Sequence, residues 1–220
     1  MALYLVIFKL VLRIPPPRGS ERFGFGIFLL SGLLPFLAIQ EGVIRSSSVW
    51  MENSNLIKKM RIRPSLFVVT VCLSSLVLEL VALGLLVGYE ASLGLLEPKR
   101  LGWIACGLVA QLLMTLVPAL LVAILAAFLR DLVLLLPFLM AATFYLSPVV
   151  YPAELAPSYL APILNSNPVA WVLQFYRAGL IGGGPPSLES IVFGFPLLIV
   201  LALSLAWSAD RLRPHLADIL

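Results

Sequence analysis

With 220 residues, 61% of them hydrophobic and only 12% charged, and a mean hydropathy of +1.05, the chain is far more apolar than a soluble domain, which is nearer half apolar and a quarter charged. This composition excludes a soluble enzyme or binding module and marks an integral membrane protein with room for about five or six helical spans. The formal net charge of +4 lies mostly between apolar runs, as flanking charge rather than a nucleic-acid surface, and the runs are continuous rather than alternating, which argues against a β-barrel.

Met1–Leu12 is apolar but would cover only about 18 Å as a helix. No basic region precedes it, so it makes a poor signal peptide. Residues 1–14 read as a partial first span, and a truncated or mis-started N-terminus is expected. A proline-rich loop, Pro15–Arg22, follows. Phe23–Ile44 is the next apolar run, with Gly24, Gly26, Gly32 and Pro35 giving small surfaces for close helix approach. Residues 45–64 are the most polar stretch, with Lys58, Lys59, Arg61 and Arg63 placing four cations within six residues. Positive charge marks the cytoplasmic side, so this loop is assigned inside and Pro15–Arg22 outside.

Leu66–Gly88 carries Glu79 in its middle. A carboxyl group at that depth is costly, and it either bonds to a neighbouring helix or faces a conduit. An outer loop, Tyr89–Leu101, leads to the run Trp103–Leu129, which contains Pro118 and ends at Arg130-Asp131. Leu132–Val150, about 19 residues, is long enough to cross a hydrocarbon core as one helix. It closes in Ser147-Pro148-Val149-Val150-Tyr151-Pro152. Two segments too short to cross, Ala153–Leu164 and Pro168–Leu180, then flank Asn165-Ser166-Asn167. With the Gly182-Gly183-Gly184 break they read as a re-entrant or interfacial hairpin over residues 153–184. Asn167 suits an N-cap, Pro168 a first helical position, and the glycines a helix end. Leu188–Trp207 returns inward, leaving 209–220 as a cytoplasmic tail.

The chain has no phosphate-binding glycine loop, no H-E-x-x-H, no nucleophile elbow and no Cys/His metal pair. Cys72 and Cys106 sit inside apolar runs as packing residues, and His215 is alone. The carboxylates Glu41, Glu79 and Glu154 are scattered over different segments. No catalytic residue, metal ligand or bound cofactor is assigned.

Five stretches carry a family resemblance. Leu30–Phe36, Asn53–Lys59, Phe128–Leu132, Tyr145–Pro152 with Asn167-Pro168 and Tyr176-Arg177, and the tail Arg213–Leu220 occur in the order seen in permease subunits of the ABC-2 class. They most resemble the polysaccharide, O-antigen and teichoic-acid exporter branch. The resemblance covers about Phe23 to Leu220. It departs from the family at the N-terminus, where an amphipathic interfacial helix and a complete first span are expected, and at Met60–Arg63, which intervenes before Pro64.

The resemblance implies an all-α, six-span permease, assembled as a homodimer in the cytoplasmic membrane, multi-pass and bacterial. It also implies a separate cytoplasmic ABC ATPase subunit that holds ATP and Mg, and a polysaccharide or lipid-linked glycan as substrate. By the same resemblance, Asn53, Asn55, Leu56, Ile57, Lys58 and Lys59 form the ATPase-coupling segment. Ser147, Pro148, Tyr151, Pro152, Asn167, Pro168, Tyr176 and Arg177 form the outer gate. Phe28, Phe36, Phe144 and Tyr145, with Glu79, are the candidates for lining the conduit, because aromatic faces can rest against the apolar C–H faces of sugars. Membrane lipids are further partners, and no nucleic acid is. Arg177 suits either a pyrophosphate or acidic sugar or a simple interfacial anchor. Two alternatives stay open: an ABC-2 permease for a drug or small lipid, and a non-ABC membrane carrier or enzyme.

Overall fold

The computed structural model describes residues 24–59, 62–152, 164, 166–184, 186, 190–212 and 214. The expected partial first span, most of the first hairpin arm with Glu154, and the tail with His215 lie outside the described residues. The described residues are helical, with no strand among them. The eight α-helices are α1 (Gly24–Ser46), α2 (Val49–Glu52), α3 (Ser54–Lys59), α4 (Pro64–Ser92), α5 (Leu101–Phe128), α6 (Leu132–Leu146), α7 (Pro168–Leu180) and α8 (Phe195–Arg211).

Three helices among the described residues are long and apolar enough to cross a membrane: α1, α4, and α5 with its preceding Pro98–Arg100 turn. The chain is a multi-pass membrane protein of all-helical class. The expected 19-residue helix over Leu132–Val150 is shorter in the structure, where α6 has 15 residues. Its end has a physical cause. Pro148 clashes with a helical residue before it, and Ser147 is accordingly extended, with φ −107° and ψ 145°. The last apolar run also differs from a simple helix. Ser190–Gly194 forms a π turn ahead of α8, and Pro196 sits in the first turn of α8, where its missing N–H and its ring disturb the preceding backbone bonds. Residues 45–64, expected as a loop, hold the end of α1 and the short helices α2 and α3.

Helix α5 is the hub. It packs against α1, α4, α7 and α8. Its buried face is built from small residues, Gly107, Ala110, Thr115, Ala119, Ala123, Ala126 and Ala127. Without a hydrophobic drive between helices in lipid, such close packing supplies much of the association. Gly107 lies under the ring of Tyr176, where a Cβ would stand 3.2 Å from Cε2. Gly179 of α7 faces Ile104 of α5 in the same way, with the Ile104 backbone nitrogen 3.2 Å from where a Cβ would be. Gly42 of α1 meets Thr115 of α5 and Ser75 of α4. By contrast, α4 turns Leu66, Leu73, Val77, Leu78, Val81 and Leu85 outward, the apolar surface expected of a lipid-facing helix.

Two apolar clusters occupy the two ends of the bundle. One gathers Phe25, Phe28, Phe36, Leu86, Ile104, Val149, Leu173 and Phe175 around α7. The other gathers Trp50, Ile57, Val68, Cys72, Leu120, Ala123 and Ala209 near α2 and α3. At this second end two long-range bonds tie chain segments together. Trp50 Nε1 donates to the Pro64 carbonyl at 2.9 Å, and the Ser65 amide donates to Asp210 Oδ1 at 3.1 Å. Asp210 of α8 thereby serves as the acceptor for an orphan N–H at the start of α4, where Arg63 provides no side-chain cap.

At the α7 end, Gly32 of α1 allows the backbone of the Pro148-Val149 turn to approach, since a Cβ there would stand 2.5 Å from the Val149 carbonyl oxygen. A backbone atom cannot swing aside, so Gly32→Ala should destabilise the chain by about 1–3 kcal/mol. Gly84, on the exposed face of α4, has nothing within 4 Å of its added Cβ, and Gly84→Ala should be neutral or stabilising by up to about 1 kcal/mol. Thermal unfolding of the two variants in detergent checks both: Gly32→Ala lowers the midpoint by several degrees, and Gly84→Ala does not.

Candidate functional site

The residues singled out in the sequence fall at the two ends of the bundle, with a polar cluster between them. At one end, α6 stops at Leu146 and the chain turns through Ser147–Tyr151. Helix α7 begins at Pro168, preceded by the N-cap Asn167, whose Oδ1 accepts from the Val169 amide at 2.9 Å. This is the capping geometry expected from an Asn-Pro pair. The same side chain donates through Nδ2 to Ser147 Oγ at 2.8 Å and to the Leu146 carbonyl at 3.3 Å. One residue thus satisfies the start of α7 and the end of α6 together. At its other end α7 closes through Gly182, at φ +67°, with the Ile181 and Gly183 amides donating to the Arg177 carbonyl at 3.0 and 3.1 Å. That is the left-handed glycine cap of the Schellman type.

Arg177 joins α7 to the same turn. Its Nη2 donates to the Pro148 carbonyl and, at 3.2 Å, to the Val149 carbonyl. Its guanidinium also lies 4.4 Å from the centre of the Phe28 ring. The planar cation is therefore engaged by two carbonyls and an aromatic face. Tyr151 donates to the Tyr145 carbonyl at 3.2 Å. Burial pushes the Tyr151 phenol above the ordinary tyrosine range, and nearby Arg177 pulls it partly back. Ser147 and Asn167, and Pro148 and Arg177, thus join the turn to α7, with Tyr151 in the same turn, Pro152 buried beside it and Pro168 opening α7.

Between the ends lies a polar cluster that the sequence reading only half identified. Gln111 Nε2 donates to Glu79 Oε2, and Tyr176 donates through its hydroxyl to Gln111 Oε1 at 2.5 Å. Glu79 is on α4, Gln111 on α5 and Tyr176 on α7, and all three are buried. Gln111 was missed in the sequence. Its signal was available: a lone amide near the middle of a 28-residue apolar helix is costly unless bonded.

The aromatic candidates separate. Phe28 and Phe36 are each 1% exposed and Phe144 is 9%, whereas Tyr145 is 71% exposed. Phe36, Phe144 and Tyr145 form a contiguous ladder, with edge-on ring contacts at 5.2 and 5.3 Å. Phe28 stands apart from it, beneath Arg177.

At the other end, α2 and α3 present the basic segment. Asn53 Nδ2 donates to the Val49 carbonyl at 2.8 Å and closes α2. Ile57 is buried, packed with Trp50 in the apolar cluster, while Asn55, Leu56, Lys58 and Lys59 are exposed. One anchoring side chain therefore fixes a one-and-a-half-turn helix so that its cations and amide project away from the bundle.

No protein-family model matches the chain. Two curated relatives are similar to it, both O-antigen export system permease proteins RfbA of Klebsiella pneumoniae. One is 24% identical over 225 aligned residues, covering 99% of this chain and 82% of the relative. The other is 24% identical over 186, covering 82% and 68%. With likeness running through nearly the whole chain, and with the all-helical bundle described above, the chain is a distant relative of the O-antigen export permeases, the ABC-2 branch its motifs resemble.

Proposed function

We propose that this chain is the permease subunit of an ATP-driven exporter that moves a polysaccharide or lipid-linked glycan outward across the bacterial cytoplasmic membrane. The observation that carries the reading is the similarity to O-antigen export permeases over 99% of the chain. In this reading two copies form the conduit as six-span subunits, and a separate cytoplasmic ATPase binds ATP and Mg. Tyr145, the exposed end of the Phe36–Phe144–Tyr145 ladder, is the ring each subunit offers to the apolar face of a sugar. The unit formed by Ser147–Tyr151 and α7 is the outer gate, with residues 153–184 as the re-entrant hairpin. In support, α7 has 13 residues, about 20 Å, too short to cross. Its middle is buried while Ser166 and Gly182–Gly184 at its ends are exposed.

The docking surface for the ATPase is α3. Its exposed Asn55, Leu56, Lys58 and Lys59, held out by buried Ile57, are suited to an acidic or polar cleft on a partner. In the Lys58→Glu/Lys59→Glu double variant, association with the ATPase should weaken at least about tenfold, or about 1.4 kcal/mol, and stimulated ATP hydrolysis should fall with it. Co-purification and stimulated hydrolysis are the measurements. Unchanged values in a normally inserted variant would remove α3 from the interface.

Orientation has its own test. In a Cys106→Ser background, a cysteine at Ser166 should react with a membrane-impermeant maleimide added to intact cells. A cysteine at Lys59 should react only after the inner face is opened. The reverse pattern would invert the topology and with it the assignment of α7 to the exit.

A further inference from the structure

We propose that Glu79, Gln111 and Tyr176 form a latch that holds α7 seated between the spanning helices and lets it leave without stranding a buried polar group. The connections are asymmetric. Glu79 and Gln111 lie on α4 and α5, two long helices packed on each other and on α1. Tyr176 lies on α7, a 13-residue helix flanked by the exposed Ser166 and Gly182–Gly184. The bond within the pair of long helices is internal to the scaffold. The short helix is tied to this pair through the Tyr176 hydroxyl, which donates to Gln111 Oε1 at 2.5 Å and lies against the Glu79 carboxyl.

Glu79 also carries a spare atom. Its Oε1 is buried and has no hydrogen-bond partner among the described residues, an arrangement that requires an explanation in a packed apolar interior. A carboxylic acid and a primary amide can join side by side through two bonds, each group donating once and accepting once. With α7 seated, Gln111 Oε1 accepts from the Tyr176 hydroxyl, and of that pairing only the bond from Gln111 Nε2 to Glu79 Oε2 is made. When Tyr176 withdraws, Glu79 in its acid form can donate from Oε1 to the vacated Gln111 Oε1 and complete the pair. The amide then loses one partner and gains another. Gly107 opposes the Tyr176 ring with no side chain, so the ring sits close against the backbone of α5.

The latch rests on the proposed reading only in treating α7 as a helix that moves during export. Its test needs neither ATPase nor glycan, so its failure and the failure of the export reading are distinguishable. The full-length chain, in native membranes and a Cys106→Ser background, receives Ala178→Cys on the buried part of α7. N-ethylmaleimide labelling rates are then compared at this site and at the buried Cys72, which reports the opposite apolar cluster. Tyr176→Phe, which removes one oxygen and keeps the ring, should speed labelling at position 178 about tenfold and leave Cys72 unchanged. Gln111→Leu should act similarly. Glu79→Gln, which still accepts from Gln111 and can complete the paired arrangement, should stay within about twofold of the parent. An unchanged rate in Tyr176→Phe overturns the latch. So does an equal rise at Cys72, which would make the trio a general packing contact.

Discussion

The close seating of α7 on α5 is the constraint on which the α7 end of the molecule depends. It is possible because small residues face one another: Gly107 of α5 beneath Tyr176, and Gly179 of α7 against Ile104. In a bilayer the lipid tails are as apolar as leucine, so helices gain by close van der Waals contact and by hydrogen bonds that hydrocarbon cannot supply. Once α7 lies that close, Tyr176 reaches Gln111, Arg177 reaches the Pro148 and Val149 carbonyls, and Asn167 reaches the end of α6. A side chain at either glycine would force α5 and α7 apart at this contact.

The Ser147–Tyr151 turn shows how non-helical backbone survives beside a membrane helix. Pro148 ends α6 and leaves carbonyls without intrahelical donors. Unsatisfied backbone groups away from water cost several kcal/mol each, and the chain supplies donors from α7 for them. Arg177 serves two carbonyls and Asn167 a third. The helix that closes over the turn is thus the helix that satisfies it, which couples the position of α7 to the conformation of the turn.

The basic end follows the same logic with different parts. Trp50 and Asp210 supply a donor and an acceptor to the first residues of α4, and Ile57 seats α3 on the cluster they frame. Helix α4 thus bonds to Trp50 of α2 at one end and carries Glu79 of the polar trio further along.

Much of this was legible in the sequence, because it is local. The apolar runs marked α1, α4 and α5 to within a few residues. The Asn-Pro pair and the glycine break bounded α7, since capping and left-handed turns depend on residues adjacent in the chain. The basic segment was visible as charge, though the bounds of α2 and α3 were not, the two helices being too short to show a period. The tertiary structure alone decided the partners. Phe28, Phe36, Phe144 and Tyr145 read alike in sequence, yet only Tyr145 is exposed. Glu79 was visible as a costly carboxyl, but the amide that receives it is 32 residues away on another helix. Arg177 was visible as a lone cation, but the carbonyls it bonds lie 28 and 29 residues upstream. The physical reason is common to these cases: helix periodicity and capping are encoded by neighbours in the chain, whereas burial and the pairing of a polar group depend on which helices come to lie side by side.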